Sequence, residues 1–305
     1  MATCFSAVCQ PPAQYYPSIA LRLTRWTCAD DCGYHCMHRI TDEAERDGSR
    51  IHQYNGKWPF WRWAGIQEPA STLFSLMNLA VHFRGAREIQ RRIPETHPLK
   101  GYYLNFAFVS MNAWIWSSVF HTRDLPRTEA LDYFSAAAAI LYALYYTAVR
   151  MFHLYPEHHR LIISRRDSRS IAYNIWRAFC GLLFLGHISY LSLLPRFDYT
   201  YNIIFNIVVG LAHNFLWVIY ALPIRAIHRF PNRSPSYRPF YAYKAVVFVA
   251  VTTAATALEL LDFPPWGRIL DAHALWHLST VPIAAFWYRF LIQDALDDSW
   301  KGYKP

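Results

Sequence analysis

The chain has 305 residues, of which 54% are hydrophobic, 17% aromatic and only 17% charged, against roughly a quarter charged in an ordinary soluble domain. Its 11 glycines and 18 prolines exclude a collagen-like or low-complexity chain, and its length excludes a small disulfide knot. The formal net charge of +9 would suit a nucleic acid partner only if it were gathered on one binding surface.

Residues 1–66 are polar and carry Cys4, Cys9, Cys28, Cys32 and Cys36. The start MATCFSAVCQPPAQ has neither the basic n-region nor the apolar h-region of a signal peptide. Export of this region then falls to the first span, acting as a reverse signal-anchor, or to a native start further upstream. The segment CADDCGYHC, with His35 and His38, offers zinc ligands, but C-x3-C-x3-C is not a zinc-finger spacing. On an oxidising side disulfides are favoured, and five cysteines leave at least one unpaired or paired elsewhere.

Seven apolar runs follow, at about Pro69–Phe83, Gly101–His121, Thr128–Ala148, Asn174–Leu194, Tyr199–Leu222, Phe240–Leu261 and His273–Leu296. A bilayer-spanning helix needs about 20 mostly apolar residues. The first run is short, and the preceding WRWAGIQEPAST can lengthen it upstream, because Trp favours the interface. A soluble helical protein would alternate faces at helical period, whereas FCGLLFLGHISYLSLL has no charged face. Cys180 lies inside the fourth run, Asp132 near the start of the third, His213 within the fifth and Glu259 near the end of the sixth.

The charges follow the topology. Arg84, Arg87, Arg91, Arg92 and Lys100 lie between the first two runs, and Arg150, Arg160, Arg165, Arg166 and Arg169 between the third and fourth. Arg225, Arg229, Arg233, Arg238 and Lys244 lie at the junction of the fifth and sixth, and Lys301 and Lys304 in the tail. The alternate loops hold only Arg123, Arg127, Arg196 and Arg268, which makes seventeen against four. The positive-inside rule puts the basic loops and C-terminus in the cytosol and the N-terminal region in the lumen. Topology explains the charge, and nucleic acid binding has no support. The expected fold is all-α: a polytopic seven-transmembrane-helix bundle over residues 67–296, a small cysteine-containing lumenal region over 1–66, and a cytosolic tail over 297–305.

Ionisable residues within spans are costly and mark function by default. His121 falls at the lumenal end of the second span, with Ser117 one turn earlier on the same face. Asp132 lies about one turn inside the third span, and the seventh opens with DAHALWHLST, placing His273 and His277 on one face. Three histidines, a serine and an aspartate thus share one depth. His121, His273 and His277 can bind one zinc ion and leave the fourth position for water, as catalytic zinc sites do. Such a metal lowers the pKa of the water and polarises a carbonyl. Asp132 is then the candidate general base and Ser117 the candidate oxyanion donor. Asp124 and Asp271 flank the histidines and are candidates to orient their N–H groups. His187 and His213 fall nearer mid-membrane with no spacing that pairs them for haem, His82 nears the cytosolic end, and His153, His158 and His159 lie in a cytosolic loop.

The same residues carry a resemblance. CADDCGYHCMHRIT, YNGKWPFWRWAGIQEPASTLFSLMN, WIWSSVFHTRD and DAHALWH, in that order, resemble the motifs of the GPI-anchor remodelling family, known as post-GPI-attachment-to-proteins factor 3 and its fungal relatives. The resemblance covers roughly Leu21 to Leu296. It implies the wider seven-helix CREST superfamily, with alkaline ceramidases and the adiponectin and progestin receptors. It further implies phospholipase A2-type removal of the sn-2 acyl chain from GPI-anchored proteins, as a multi-pass protein of the ER or Golgi membrane, among membrane lipids. The superfamily pattern of S-x3-H, an Asp eleven residues later and H-x3-H falls on Ser117, His121, Asp132, His273 and His277; Ser118 is adjacent but lacks the spacing. Glu68 and Asn78 match remnants of the ceramidase calcium site, but its aspartate-rich motif is missing here, which argues against calcium. The tail KGYKP matches a dilysine retrieval signal only loosely and does not distinguish ER from Golgi.

Two other readings use the same residues. One is a seven-helix receptor or scaffold with a structural metal, in which Ser117 and Asp132 are packing or capping residues. The other is a ceramidase-like amide hydrolase, since the ligand set serves ester and amide alike. An open water position at the metal, rather than a fourth protein ligand, separates enzyme from scaffold.

Overall fold

The computed structural model describes residues 16–155, 168–225 and 227–301. Cys4, Cys9, His158, His159 and the end of the tail lie outside the described residues. Nine α-helices are found among those described: α1 (Ile19–Leu23), α2 (Cys28–Arg46), α3 (Pro69–Arg92), α4 (Lys100–Thr122), α5 (Pro126–Phe152), α6 (Ser168–Leu193), α7 (Tyr199–Ala221), α8 (Tyr243–Glu259) and α9 (Ala272–Ala295). Short 3-10 turns at Phe240–Ala242 and Asp298–Trp300 lead into α8 and follow α9. No strand occurs among the described residues, only isolated bridges.

Helices α3–α9 coincide with the seven apolar runs. The first differs in its direction of growth: it lengthens downstream to Arg92, not upstream through the tryptophans. Pro69 sits in its first turn, where a missing N–H costs nothing. Upstream, Ala64 and Gly65 both have left-handed φ (48° and 83°) and close a turn. Downstream no proline occurs until Pro94, so the arginine-rich segment stays helical. Gly85 lets α3 approach α9, since a Cβ there would lie 2.4 Å from the Tyr288 ring.

Among the described residues, four helices are long and apolar enough to cross a bilayer: α5, Ile171–Leu193 of α6, α7, and the Phe240–Glu259 segment that contains α8. The other three of helices α3–α9 are less apolar and bury several polar side chains each. These are Ser71, Ser75, Asn78 and His82 in α3, Ser110, Ser117 and His121 in α4, and His277 and Asp294 in α9.

The helices pack as a ring in the order α3, α4, α5, α7, α8 and α9, with α9 returning against α3. Helix α6 lies outside it, held by Cys180 against Leu141, Leu144 and Val209, and by His187 stacked on Phe205. At the basic end, Arg150 and Asp294 form a fully buried two-pronged ion pair, both bonds 2.7 Å long. Tyr220 donates to the same carboxylate at 2.7 Å. Arg229, also buried, donates to the carbonyls of Ile219, Tyr220 and Leu222 around the C-terminal end of α7.

At the other end, α1 and α2 form a head over the bundle. Cys32 and Cys36 each take part in a disulfide, as an oxidising compartment permits. Arg123, from the α4–α5 loop, pairs with Asp30 at 2.8 Å, and Arg268, from the α8–α9 loop, pairs with Asp42 and Glu45. His38 does not serve as a zinc ligand. Arg268 donates to its Nδ1 at 3.0 Å, so its Nε2–H donates to the Phe60 carbonyl at 3.1 Å. Burial, opposed by that carbonyl and aided by Arg268, pushes the His38 pKa down to about 4.

Candidate metal centre and active site

His121 ends α4, and His273 and His277 occupy the first two turns of α9. Helix α9 starts where it does because the Asp271 carboxylate accepts the Ala274 N–H at 2.8 Å, an N-cap. Ring packing between α3 and both α4 and α9 brings the three imidazoles together. The Nε2 of His273 lies 2.9 Å from that of His277 and 3.3 Å from that of His121. The three potential ligand atoms all lie within 4.8 Å of one another.

Each ring is held from behind. His121 Nδ1 donates to Glu68 Oε2 at 2.8 Å, and His273 Nδ1 donates to Glu259 Oε2 at 2.7 Å. The Ser75 hydroxyl donates to the Ser71 carbonyl at 2.8 Å, so its oxygen accepts from His277 Nδ1 at 2.9 Å. With Nδ1 protonated in each ring, every Nε2 carries a lone pair, and three lone pairs converge on one point. That donor set fits a zinc ion, which satisfies three imidazole acceptors at once, with an acceptor behind each ring.

The groups that orient the rings differ from those the sequence suggests. Asp124 pairs instead with Lys57 at 3.5 Å, and Asp271 is spent as the helix cap. Both flank the histidines in sequence, but the loop turns carry them away from the ring nitrogens. Glu68 and Glu259 were visible as acidic groups at span ends, Glu68 one residue before Pro69 and Glu259 inside an apolar run. Only helix packing shows that they reach the histidines. Ser75 gave no signal, because serine is common in helices that pack closely.

Glu68 also binds the Lys57 ammonium, which sits 4.1 Å over the Phe120 ring. Burial alone would raise the Glu68 pKa, but Lys57 and the bond from His121 hold it well below the usual carboxylate range. Asn78 donates to the Phe74 and His277 carbonyls. Glu68 is thus engaged by Lys57 and His121, while Oδ1 of Asn78 is buried with no hydrogen-bond partner among the described residues.

A cavity of about 250 Å³ opens beside the histidines, lined among others by Lys57, Glu68, His121, Asp132, Asp262 and His273. Asp262 accepts from Trp58 and Gln53. Glu68, Glu259 and Asp271 are committed as described. Asp132 is the wall carboxylate that takes no side-chain hydrogen bond among the described residues. Ser117 is buried behind the histidines, its Oγ 3.1 Å from that of Ser75. His82 bonds Tyr288, His213 packs against Trp217, and His187 lies against Phe205; none of them joins the cluster.

Fold and site together define an all-helical membrane protein with a three-histidine centre at the head end of its bundle. The model of the Per1-like family matches residues 18–295, and the chain belongs to that family, in keeping with the resemblance of its motifs to GPI-remodelling proteins. It is 40% identical over 282 residues to the protein PER1 homolog of Schizosaccharomyces pombe, covering 92% of this chain and 79% of the relative. It is 40% identical over 278 residues to the GPI-specific phospholipase A2-like PGAP3 of Mus musculus, covering 91% and 79%. It is 39% identical over 275 residues to the post-GPI attachment to proteins factor 3 of Drosophila melanogaster, covering 90% and 77%.

Proposed function

We propose that the chain is a metal-dependent lipid ester hydrolase of GPI-anchor remodelling, removing the sn-2 acyl chain from GPI-anchored proteins in the lumen of the secretory pathway. The observation that carries this is the convergence of three Nε2 lone pairs beside a cavity whose wall bears the uncommitted Asp132. In this reading α3–α9 all cross the bilayer, the three more polar ones crossing because their polar groups face the bundle interior. The head and site are lumenal and the basic loops cytosolic.

His121, His273 and His277 hold zinc, which when bound supplies a Lewis acid for the ester carbonyl and acidifies a water molecule. Asp132 takes the proton of the attacking water and returns it to the leaving lipid alkoxide. Glu68, Glu259 and Ser75 fix the tautomer of each ring. Ser117, placed behind the rings, holds Ser75, and through it His277; this replaces the oxyanion contact that its spacing suggests.

The site also favours an enzyme over a scaffold. No fourth cysteine, histidine or carboxylate joins the cluster among the described residues, as befits an open site. Elemental analysis of detergent-purified protein tests the metal, with about one zinc per chain expected. His277→Ala is expected to lose zinc and GPI deacylation while expression persists. Asp132→Asn is expected to keep zinc and lose about 10²–10⁴-fold in rate. Full deacylation by His277→Ala would overturn the mechanism, and turnover of ceramide but not GPI lipid would move the chain to the amide hydrolases.

A further inference from the structure

A second, larger cavity lies far from the histidines. Helices α4 and α6 both pack on α5 and touch each other through Tyr102 and Tyr173, leaving a slot of about 560 Å³ between them. That is ample for a small lipid segment, since ligand sites commonly measure about 300–1,000 Å³. Tyr102 at one end of the slot and His121 at the site are both on α4, separated by about 28 Å along its axis at 1.5 Å per residue.

The slot is polar at one end and apolar at the other. Toward the basic end of the bundle it is lined by Tyr102, Tyr145, Tyr173 and Arg177, and deeper by Leu141 and Phe184. The Tyr145 hydroxyl donates to that of Tyr173 at 3.2 Å, and the Arg177 guanidinium lies 5.5 Å from the Tyr173 ring centre. Arg177 is exposed on a helix whose other exposed side chains include Ile171, Ile175, Phe179 and Leu182. No carboxylate forms an ion pair with it among the described residues. A cation on a lipid-facing surface is costly without an anionic partner.

We propose that this slot binds one anionic glycerophospholipid of the leaflet on the basic side of the bundle, its phosphate on Arg177 and the tyrosine hydroxyls, and one acyl chain laid along α5. Charge complementarity fixes the class, because the phosphate supplies the anion that Arg177 lacks, and the apolar depth takes a chain. The proposal needs α5 and α6 to cross a bilayer, for which both are long and apolar enough, and it is independent of the hydrolase reading.

The test uses the full chain purified in mild detergent, given dioleoyl phosphatidylserine or dioleoyl phosphatidylcholine, with retained lipid counted by native mass spectrometry. The wild-type chain is expected to retain one phosphatidylserine with about fivefold preference, the effect of one basic side chain on an anionic lipid. Arg177→Gln is expected to abolish the preference. Gly181→Phe is expected to empty the slot of either lipid, since a Cβ at Gly181 meets nothing within 4 Å and the ring projects into the opening. Equal retention of the two lipids by wild type and Arg177→Gln would overturn the headgroup assignment, and undiminished retention by a folded Gly181→Phe would overturn the slot. If Gly181→Phe does not fold, Arg177→Gln alone decides. His277→Ala is expected to retain lipid unchanged, which separates this outcome from the fate of the hydrolase reading.

Discussion

Glu68, at the N-cap of α3, accepts a 2.8 Å hydrogen bond from Nδ1 of His121, in the last turn of α4, across 53 residues of sequence. The bond fixes which nitrogen of His121 is free, because a carboxylate only accepts. Lys57 bonds the other carboxylate oxygen and keeps it charged where burial would otherwise neutralise it. A lysine, a glutamate and a histidine thus form a chain of contacts from the head to the three-histidine cluster.

Glu68→Gln weakens these contacts without changing their shape. Zinc affinity is expected to fall about 10–100-fold, as on loss of other carboxylate supports behind metal-bound histidine. Competition with a chelator checks it. Asp124→Asn, which touches Lys57 but no imidazole, is expected to change zinc affinity little.

Ser117 acts through Ser75 if the 3.1 Å contact between them is its path to His277. The two serines should then be coupled. Ser75→Ala and Ser117→Ala are each expected to lower zinc affinity, and the double variant to lose no more than the worse single variant. Additive losses would instead give Ser117 a separate contact with the reacting atoms.

Asp294 anchors the opposite end of the bundle, fully buried with Arg150 and Tyr220. Removing one partner strands a buried charge, so Asp294→Ala is expected to cost about 3–5 kcal/mol. A lowered melting temperature in detergent, at unchanged zinc stoichiometry of the surviving folded fraction, is the readout.

His38 makes the head sensitive to acid. Its ordinary pKa of 6.5 falls to about 4 in the fold, so between these values the unfolded chain binds a proton that the folded chain refuses. The stabilisation is complete above pH 6.5 and is lost as pH falls toward 4. Protonation also turns the nitrogen that accepts from Arg268 into a donor. Thermal unfolding followed by tryptophan fluorescence should show stability falling over this range, since Trp61 stacks on His38 at 4.0 Å. A shallower fall is expected in His38→Gln.

Much of this molecule was legible in its sequence. Apolar runs located α3–α9, and four of these helices are long and apolar enough to cross a bilayer among the described residues. The cost of ionisable groups in such helices singled out His121, His273, His277 and Asp132, and the i, i+4 rule set His273 and His277 on one face. Composition misjudged the end of α3, since helix continuation depends on the absence of breakers as well as on apolarity.

Tertiary structure alone decided who supports whom. Glu68 meets His121 and Glu259 meets His273 because α3 packs between α4 and α9, and the end of α8 comes up beside the start of α9. Asp124 and Asp271, nearer in sequence, are turned to Lys57 and to a helix cap. The slot beside Arg177 lies between α4 and α6, which share α5 as a neighbour and touch through Tyr102 and Tyr173. Local periodicity fixes the face a residue occupies on its own helix; the helix opposite that face, and the side chain it presents, are set by packing between segments far apart in the chain.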